Sequence, residues 1–511
     1  MILALPLTGS EAFIAEEPAP GRDQTPIDQA LASGPVADAN RLELNLITAL
    51  RLAFSQGVAK RDAVENLELI RQKYRTVRAD YGPQFSGNLE TGVGNNRDAD
   101  GTFAEPLTDQ QLRLGLSQSL PTGGSLNLDG RLSREDRIDN DSGARRDPVT
   151  SSLSLSYRQP LLRDAGPLVW RDQLTQAERE YIYALRSHRL FLDDLALETA
   201  NRFWRLQQQG FALERRRDAV ANARFALEQA KAFVEIGRST ANDVLRAEVQ
   251  VLSAEQSYTD SLAAYERSLD EFRLDLNLPA KQDLSISEHS ATISRLLIDN
   301  AVAIDLALQH RLDWLTEQDR YDDKRRSLRL ATRRLLPDLD FEATVGVVDN
   351  NEDYQPDRGD DPNWSARLEL EIPFHRRNER LNHQRALVAL SQGRRGLVQF
   401  RQRIINEVTD AVRAMRRSES TFIIQRRQVS QSTLRLEKSQ MDFEAGLISN
   451  RDLLEAQAEM REAQIGLYRA RIDYRLAELE LRKTTGQLQL DENGEWSDRL
   501  PAYAERHPER P

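Results

Sequence analysis

Shifted by 209 residues, the sequence superposes on itself. Glu198 falls on Glu407, Glu228 on Glu437, Gly237 on Gly446, Asp243 on Asp452, Leu245 on Leu454, Ala247 on Ala456, Ala254 on Ala463 and Tyr265 on Tyr474. Upstream, a shift of 254 pairs Ala53 with Ala307, Arg71 with Arg325 and Pro83 with Pro337, and a shift of 213 pairs Pro160 with Pro373. The difference between 254 and 213 places 41 additional residues in the first half, between Pro83 and Pro160. Self-similarity of this kind predicts an internal duplication, so that whatever one half builds the other builds again.

Downstream of Gly237 and Gly446 the apolar and small residues recur in alternating steps of four and three. The first half reads Ala247, Val251, Ala254, Tyr258, Ser261 and Tyr265; the second reads Ala456, Met460, Ala463, Leu467, Ala470 and Tyr474. A strict 3.5-residue repeat is a coiled-coil seam, and its small positions let a neighbouring backbone come close. Counted as helix at ~1.5 Å per residue, Pro167 to Gly237 extends about 105 Å and Pro373 to Gly446 about 110 Å. The return is made in two pieces of matching total length: Gly237 to Leu278 with Asn300 to Pro337, and Gly446 to Gly486 with Asn40 to Pro83. Each half is therefore expected to be a hairpin of very long helices turning at Gly237 or Gly446.

Between the helices the period changes to two. Phe85, Leu89 and Val93 alternate with polar residues, as do Leu112, Leu114 and Leu116, then Leu126, Leu128 and Leu132, then Leu153, Leu155 and Tyr157; the second half adds Leu339 to Val347 and Trp364 to Ile372. These are six candidate strands of about nine to eleven residues, the length a tilted strand needs to cross a bilayer. The connections are rich in Gly, Asp and Asn, as from Asn95 to Gly101 and from Asp349 to Asp361. On a membrane-spanning reading Leu114, Leu128, Leu155 and Leu368 face lipid, and Arg113, Asp129, Arg158 and Arg367 face a lumen. Composition agrees with long thin helices: only 39% of residues are apolar and 30% are charged, lean for several thick cores. No run of 18 apolar residues occurs, which excludes a membrane-spanning helix and leaves a β-barrel open.

The function classes that remain are few. There is no cysteine, hence no disulfide, thiolate metal site or cysteine nucleophile, and the six histidines lack ligand spacing. No metal, cofactor or catalytic constellation is expected, and the chain is read as no enzyme. With a net charge of −11, nucleic-acid binding has no electrostatic support. Residues 1–39 are expected to be a disordered lead-in or the remnant of a signal peptide, and 491–511 a polar tail. Between them lie a first structural repeat, 40–278, with an extra hairpin within 84–158, a connector, 279–299, and a second repeat, 300–490, with strands over 338–372.

Taken together, these residues resemble the TolC-like outer membrane efflux proteins, over roughly residues 40–490. The resemblance rests on the duplication, on Gly237-Asp243-Val244-Leu245-Ala247 repeated as Gly446-Asp452-Leu453-Leu454-Ala456, and on strand ends such as Gln159-Pro160-Leu161-Leu162 and Ile372-Pro373-Phe374. It implies a mainly α chain with a transmembrane β-barrel: a homotrimeric barrel in outer-membrane lipid, continued by a long periplasmic α-helical coiled-coil barrel. The implied function is the passive exit duct of a tripartite efflux pump or type I secretion system. Its implied partners are a periplasmic adaptor (membrane fusion) protein and an inner-membrane RND or ABC transporter. Carried over by position, the constriction acids are Asp452 and Glu455, with Asp243 beside them, and the adaptor-contacting turns are Gly237-Arg238 and Gly446-Leu447. The family normally supplies four strands per protomer, and the 41 additional residues here carry a further hairpin around Pro121-Thr122-Gly123-Gly124. The competing reading is a coiled-coil scaffold without a channel.

Overall fold

The computed structural model describes residues 42–94, 107–138, 145–146, 149–237, 240–280, 282, 284–287, 298–349, 362–488, 490–491 and 494. The expected lead-in over 1–39, most of the tail over 491–511, and most of the two strand connections lie outside them. The chain begins with β1 (Leu42–Leu44), α1 (Leu46–Gln56) and α2 (Val58–Ala79). Next come β2 (Gln84–Gly94), β3 (Leu107–Ser119), β4 (Ser125–Ile138), β5 (Arg145–Arg146) and β6 (Val149–Pro160). A single turn at Pro167–Trp170 leads into α3 (Asp172–Glu235), and α4 (Ala241–Asp275) returns. The second half runs β7 (Leu284–Ile286), α5 (Asn300–His310), α6 (Leu312–Arg333), β8 (Asp338–Asp349), β9 (Asn363–Glu371), α7 (Arg377–Glu444) and α8 (Asn450–Thr484).

The 64 and 68 residues of α3 and α7 correspond to about 96 and 102 Å of helix. Neither contains proline, and the long hairpins expected from the spacing are present. The return pieces differ from expectation in one respect. Asn40 to Pro83 and Asn300 to Pro337 do not each hold one helix but two, broken at Gly57 (ψ 127°) and Arg311 (ψ 121°). One residue with extended ψ interrupts the i→i−4 ladder and re-aims the helix. The pieces on either side match between the halves: α1 and α5 have 11 residues each, α2 and α6 have 22, and α4 and α8 have 35.

All six candidate strand segments are strands, nine to fourteen residues long rather than nine to eleven. They form one antiparallel sheet in the order β2-β3-β4-β6-β8-β9, with β5 attached to β4. The 41 additional residues thus join the sheet: β3 pairs with β2 from Leu107 to Ser117, and β4 pairs with β6 from Ser125 to Arg134. Register places Phe85, Leu116, Leu128, Leu155, Val345 and Trp364 side by side across all six strands. Leu114 and Leu368 share that face by the period of two, whereas Arg113, Asp129, Arg158 and Arg367 share the other. On the polar face Arg158 and Arg367 both reach Glu342 of β8. Among the described residues the apolar face is covered by nothing: Phe85 is 82% exposed, Trp364 78% and Leu368 63%.

Sheet and helices meet at a bonded junction. The Tyr81 hydroxyl donates to the Trp170 carbonyl at 2.7 Å and accepts from the Leu174 amide at 3.1 Å, and its ring packs edge-on against Trp170. Two cores lie farther along the helices. The first gathers Leu44 and Leu50 with Phe203, Phe272, Ile472 and Leu479, and beside it β1 pairs in parallel with β7. The second gathers Trp314, Ile404, Val408 and Met415 with Tyr474 and Leu481. Helix α8 serves both cores, and between its apolar residues it buries a charged triad of Arg475, Glu478 and Arg482.

The small-residue seam of α8 is satisfied within one chain. Ala456, Ala463 and Ala470 are 1–3% exposed in the α7–α8 hairpin, where a side chain at Gly466 would meet Gln425 of α7. Overpacking there acts first on the hairpin: Ala463→Leu should cost about 1–3 kcal/mol, read as a lower thermal midpoint of the helical signal whether or not copies associate.

Candidate functional site

The two helix turns stand at the far end of α3 and α7 from the sheet, and their sequences dictate how they are made. At the second turn the Leu447 amide donates to the Asp442 carbonyl at 2.8 Å and the Gly446 amide to Phe443 at 2.9 Å. This is the double bond of a Schellman stop, with Gly446 left-handed at φ 74°. Gly237 is left-handed as well, at φ 76°, and its amide bonds to the Val234 carbonyl at 3.0 Å. A side chain at either glycine would meet open space, so the positive φ and not crowding demands glycine. Phe233 and Phe443 pack with ring centres 6.4 Å apart, placing the two turns side by side. Leu447 is exposed; Arg238 lies outside the described residues.

Asp243 and Asp452, the acids expected at the constriction, have a structural task in the protomer. Each is the third residue of its helix and closes a capping box. Asp452 Oδ2 accepts from the Ser449 amide at 3.0 Å and from its hydroxyl at 2.6 Å; Asp243 Oδ2 accepts from Thr240 at 3.0 and 2.7 Å. The Ser449 hydroxyl and amide hold the Asp452 carboxyl below the usual carboxylate range. The support it gives the helix start is therefore present at neutral pH and is lost as pH falls through that lowered value. Glu455, one turn on, is exposed. The spacing Ser/Thr-x-x-Asp announces the capping box in the sequence at both turns, where the family correspondence suggested only a gate.

A second polar site, not legible in the sequence, lies at the level of the Arg311 break. A groove of about 920 Å³ is lined by Arg189, Asp193, Arg311, Asp313, Glu407 and Lys483, among others. Arg311 donates to Asp313 at 2.6 and 3.0 Å and to Glu407 at 2.7 Å. Burial pushes the Asp193 carboxyl up to about 6 despite Arg189 beside it. This groove ties α3, α6, α7 and α8 together by charge. It contains neither a nucleophile poised beside a base nor any clustered metal ligands, and among the described residues no group of His, Asp and Glu suits a metal ion.

Residues 303–487 match a family described as outer membrane efflux protein. The match covers most of the second half of the chain, from α5 to the end of α8. The fold is shared along almost the whole chain with solved structures of low sequence identity. A membrane protein from Pseudomonas aeruginosa is 17% identical, with 89% of this chain and 98% of that chain covered and a TM-score of 0.65. The outer-membrane channel OprN is 15% identical, with 94% and 99% covered and a TM-score of 0.65. The Campylobacter jejuni CmeC outer membrane channel is 12% identical, with 95% and 94% covered and a TM-score of 0.63. No curated protein matches the sequence. OprN and CmeC are described as outer-membrane channels, and what this chain shares with them is the fold.

Proposed function

We propose that the chain is the exit duct of a tripartite efflux pump or type I secretion system, working as a homotrimer. On this reading the sheet forms one third of a β-barrel and the helices one third of a tunnel through the periplasm. The observation that carries it is the sheet: six strands with one apolar and one charged face, both open, continuous with helices about 100 Å long. A coiled-coil scaffold has no use for such a sheet. The matched lengths of α1 and α5, α2 and α6, and α4 and α8 support an internal duplication, with repeats over 40–278 and 300–490. Heat-modifiable trimers in the outer-membrane fraction are the expected result, and a soluble elongated monomer would return the chain to the scaffold reading.

In the trimer, Asp452 and Glu455 with Asp243 nearby form carboxylate rings at the narrow end of the tunnel, and the turns at Gly237 and Gly446-Leu447 meet a periplasmic adaptor, which links the duct to an inner-membrane RND or ABC transporter. Because Asp452 also caps α8, the informative variant keeps an acceptor there: Asp452→Asn with Glu455→Gln. Neutral rings should lower cation selectivity and abolish block by multivalent cations. Reversal potentials and blocker affinity in planar bilayers measure both, and unchanged values would take these acids out of the pore.

A further inference from the structure

The additional hairpin changes what three copies of this sheet build. Resting on the trimeric-duct reading, we propose that β3 and β4 span the membrane as part of the wall and that each copy supplies six strands. Three copies then close an eighteen-stranded barrel, with β2 of one copy pairing with β9 of the next.

Three observations place the hairpin in the wall. Its ladders are continuous: β3 is the neighbour of β2, and β4 is the neighbour of β6 over ten residues. Folding the hairpin away would strip hydrogen-bond partners from β2 and β6, which hydrocarbon does not forgive. Its alternation agrees with that of the other strands, since Leu114 and Leu128 lie on the apolar face and Arg113 and Asp129 on the polar one. At ~3.3 Å per residue and ~40° tilt, its 13 and 14 residues rise about 33–35 Å, more than the ~25 Å apolar band of such barrels.

The hairpin's turn is also fixed to the body of the protein. Leu120 and Gly124 close it by a 2.8 Å backbone bond. The Thr122 carbonyl accepts from the Gly166 amide at 2.7 Å and from Gln159 Nε2 at 3.1 Å, and Gln118 Nε2 donates to the Tyr81 carbonyl at 2.9 Å. Gly123 adopts φ 90° where a side chain would fall 2.6 Å from the Asp164 carbonyl oxygen. The turn therefore sits on the sheet–helix junction, at the level where β6 ends and α3 approaches.

The occupant of the two open edges is a second copy of the chain. Six strands is an even number, so β2 and β9 run in opposite directions, and edge-to-edge closure preserves the antiparallel order around the ring. With strands ~4.8 Å apart and tilted ~40°, a ring of eighteen is about 36 Å across, backbone to backbone, against about 24 Å for twelve. Among its described residues the insertion adds strands and no helix, so the widening is confined to the membrane end. The duct flares outward, and the passage of solutes is limited at its helical end and not in the barrel.

The test uses the natural absence of cysteine. Single cysteines replace Leu114, Leu128, Arg113 and Asp129 in the full chain, and labelling in outer membranes is read on the same gel as the heat-modifiable trimer. Arg113→Cys and Asp129→Cys should take a water-soluble maleimide, and Leu114→Cys and Leu128→Cys should take only a lipid-phase one. Aqueous labelling of all four in an intact trimer overturns the eighteen-stranded wall and leaves the trimeric duct standing, whereas loss of the trimer from the unmodified chain removes both. Electron cryo-microscopy of the unmodified trimer needs no variant: eighteen wall strands support the assignment, and twelve with the hairpin outside overturn it.

Discussion

Replacing Glu478 by glutamine should destabilise the protomer by about 3–5 kcal/mol, the cost of breaking a buried ion pair from one side. Glu478 is fully buried, with Oε2 at 2.7 Å from Arg475 Nη1 and Oε1 at 2.6 Å from Arg482 Nη2; the two arginine side chains are 7% and 5% exposed. One carboxylate thus supplies a short contact to each of two guanidiniums. Glutamine keeps the volume and one acceptor but removes the charge, so two cations remain in a region where Leu479 faces one core and Leu481 the other. Removing all three charges together, with Arg475→Met, Glu478→Leu and Arg482→Met, should restore most of the loss, since a packed apolar triad is often as stable as the ionic one. Denaturant or thermal midpoints of the three proteins decide it. Equal midpoints for the native chain and Glu478→Gln would show that the carboxylate compensates nothing.

On the sheet, Leu128→Arg or Leu155→Arg should cost about 2–4 kcal/mol each if that position lies at the bilayer midplane, and near nothing if the apolar face turns inward to water. The two residues lie directly opposite each other on β4 and β6, so each variant probes the same depth, and together they place two cations side by side in hydrocarbon. Asp129→Ser, on the neighbouring strand position and the other face, should leave assembly untouched and alter conductance alone. The yield of heat-stable trimer separates the cases. Full assembly of both arginine variants, with loss in the Asp129 variant, would turn the sheet inside out.

Much of this architecture is legible in the residues themselves. Gly237 and Gly446 mark the turns because no other residue stops a helix so readily with φ positive, and the 3.5-residue seam from Ala247 and Ala456 identifies the returning helices. The strands show because Leu112 to Leu116 or Leu153 to Tyr157 alternate without a fault. The features that stay hidden are set by partners distant in sequence. Nothing in the sequence marks Arg475, Glu478 and Arg482 for burial, since charges at i, i+3 and i+7 usually face solvent, and only the approach of other helices buries them. The break at Arg311 has no local signal either: arginine is a good helix former, and the kink arises from where α5 and α6 must each pack. At the tips, Asp452 carries two readings at once, and the Ser449-x-x-Asp452 spacing is the sign that its first duty is to its own helix.

The parallel pairing of β1 with β7 bears on the order in which the chain can fold. It joins residues more than two hundred positions apart, and the core beside it needs Leu44 and Leu50 from one end of the chain together with Ile472, Leu479 and Leu490 from the other. Contacts of such high order form late, after the long loops between them have been closed. A nascent chain halted anywhere before Ile472 holds α1, α3 and α4 around an unfinished core, and a half-length fragment carries an apolar surface that only the missing half covers. Folding therefore waits for the last helix, and the two ends of the chain set the pace for everything between them.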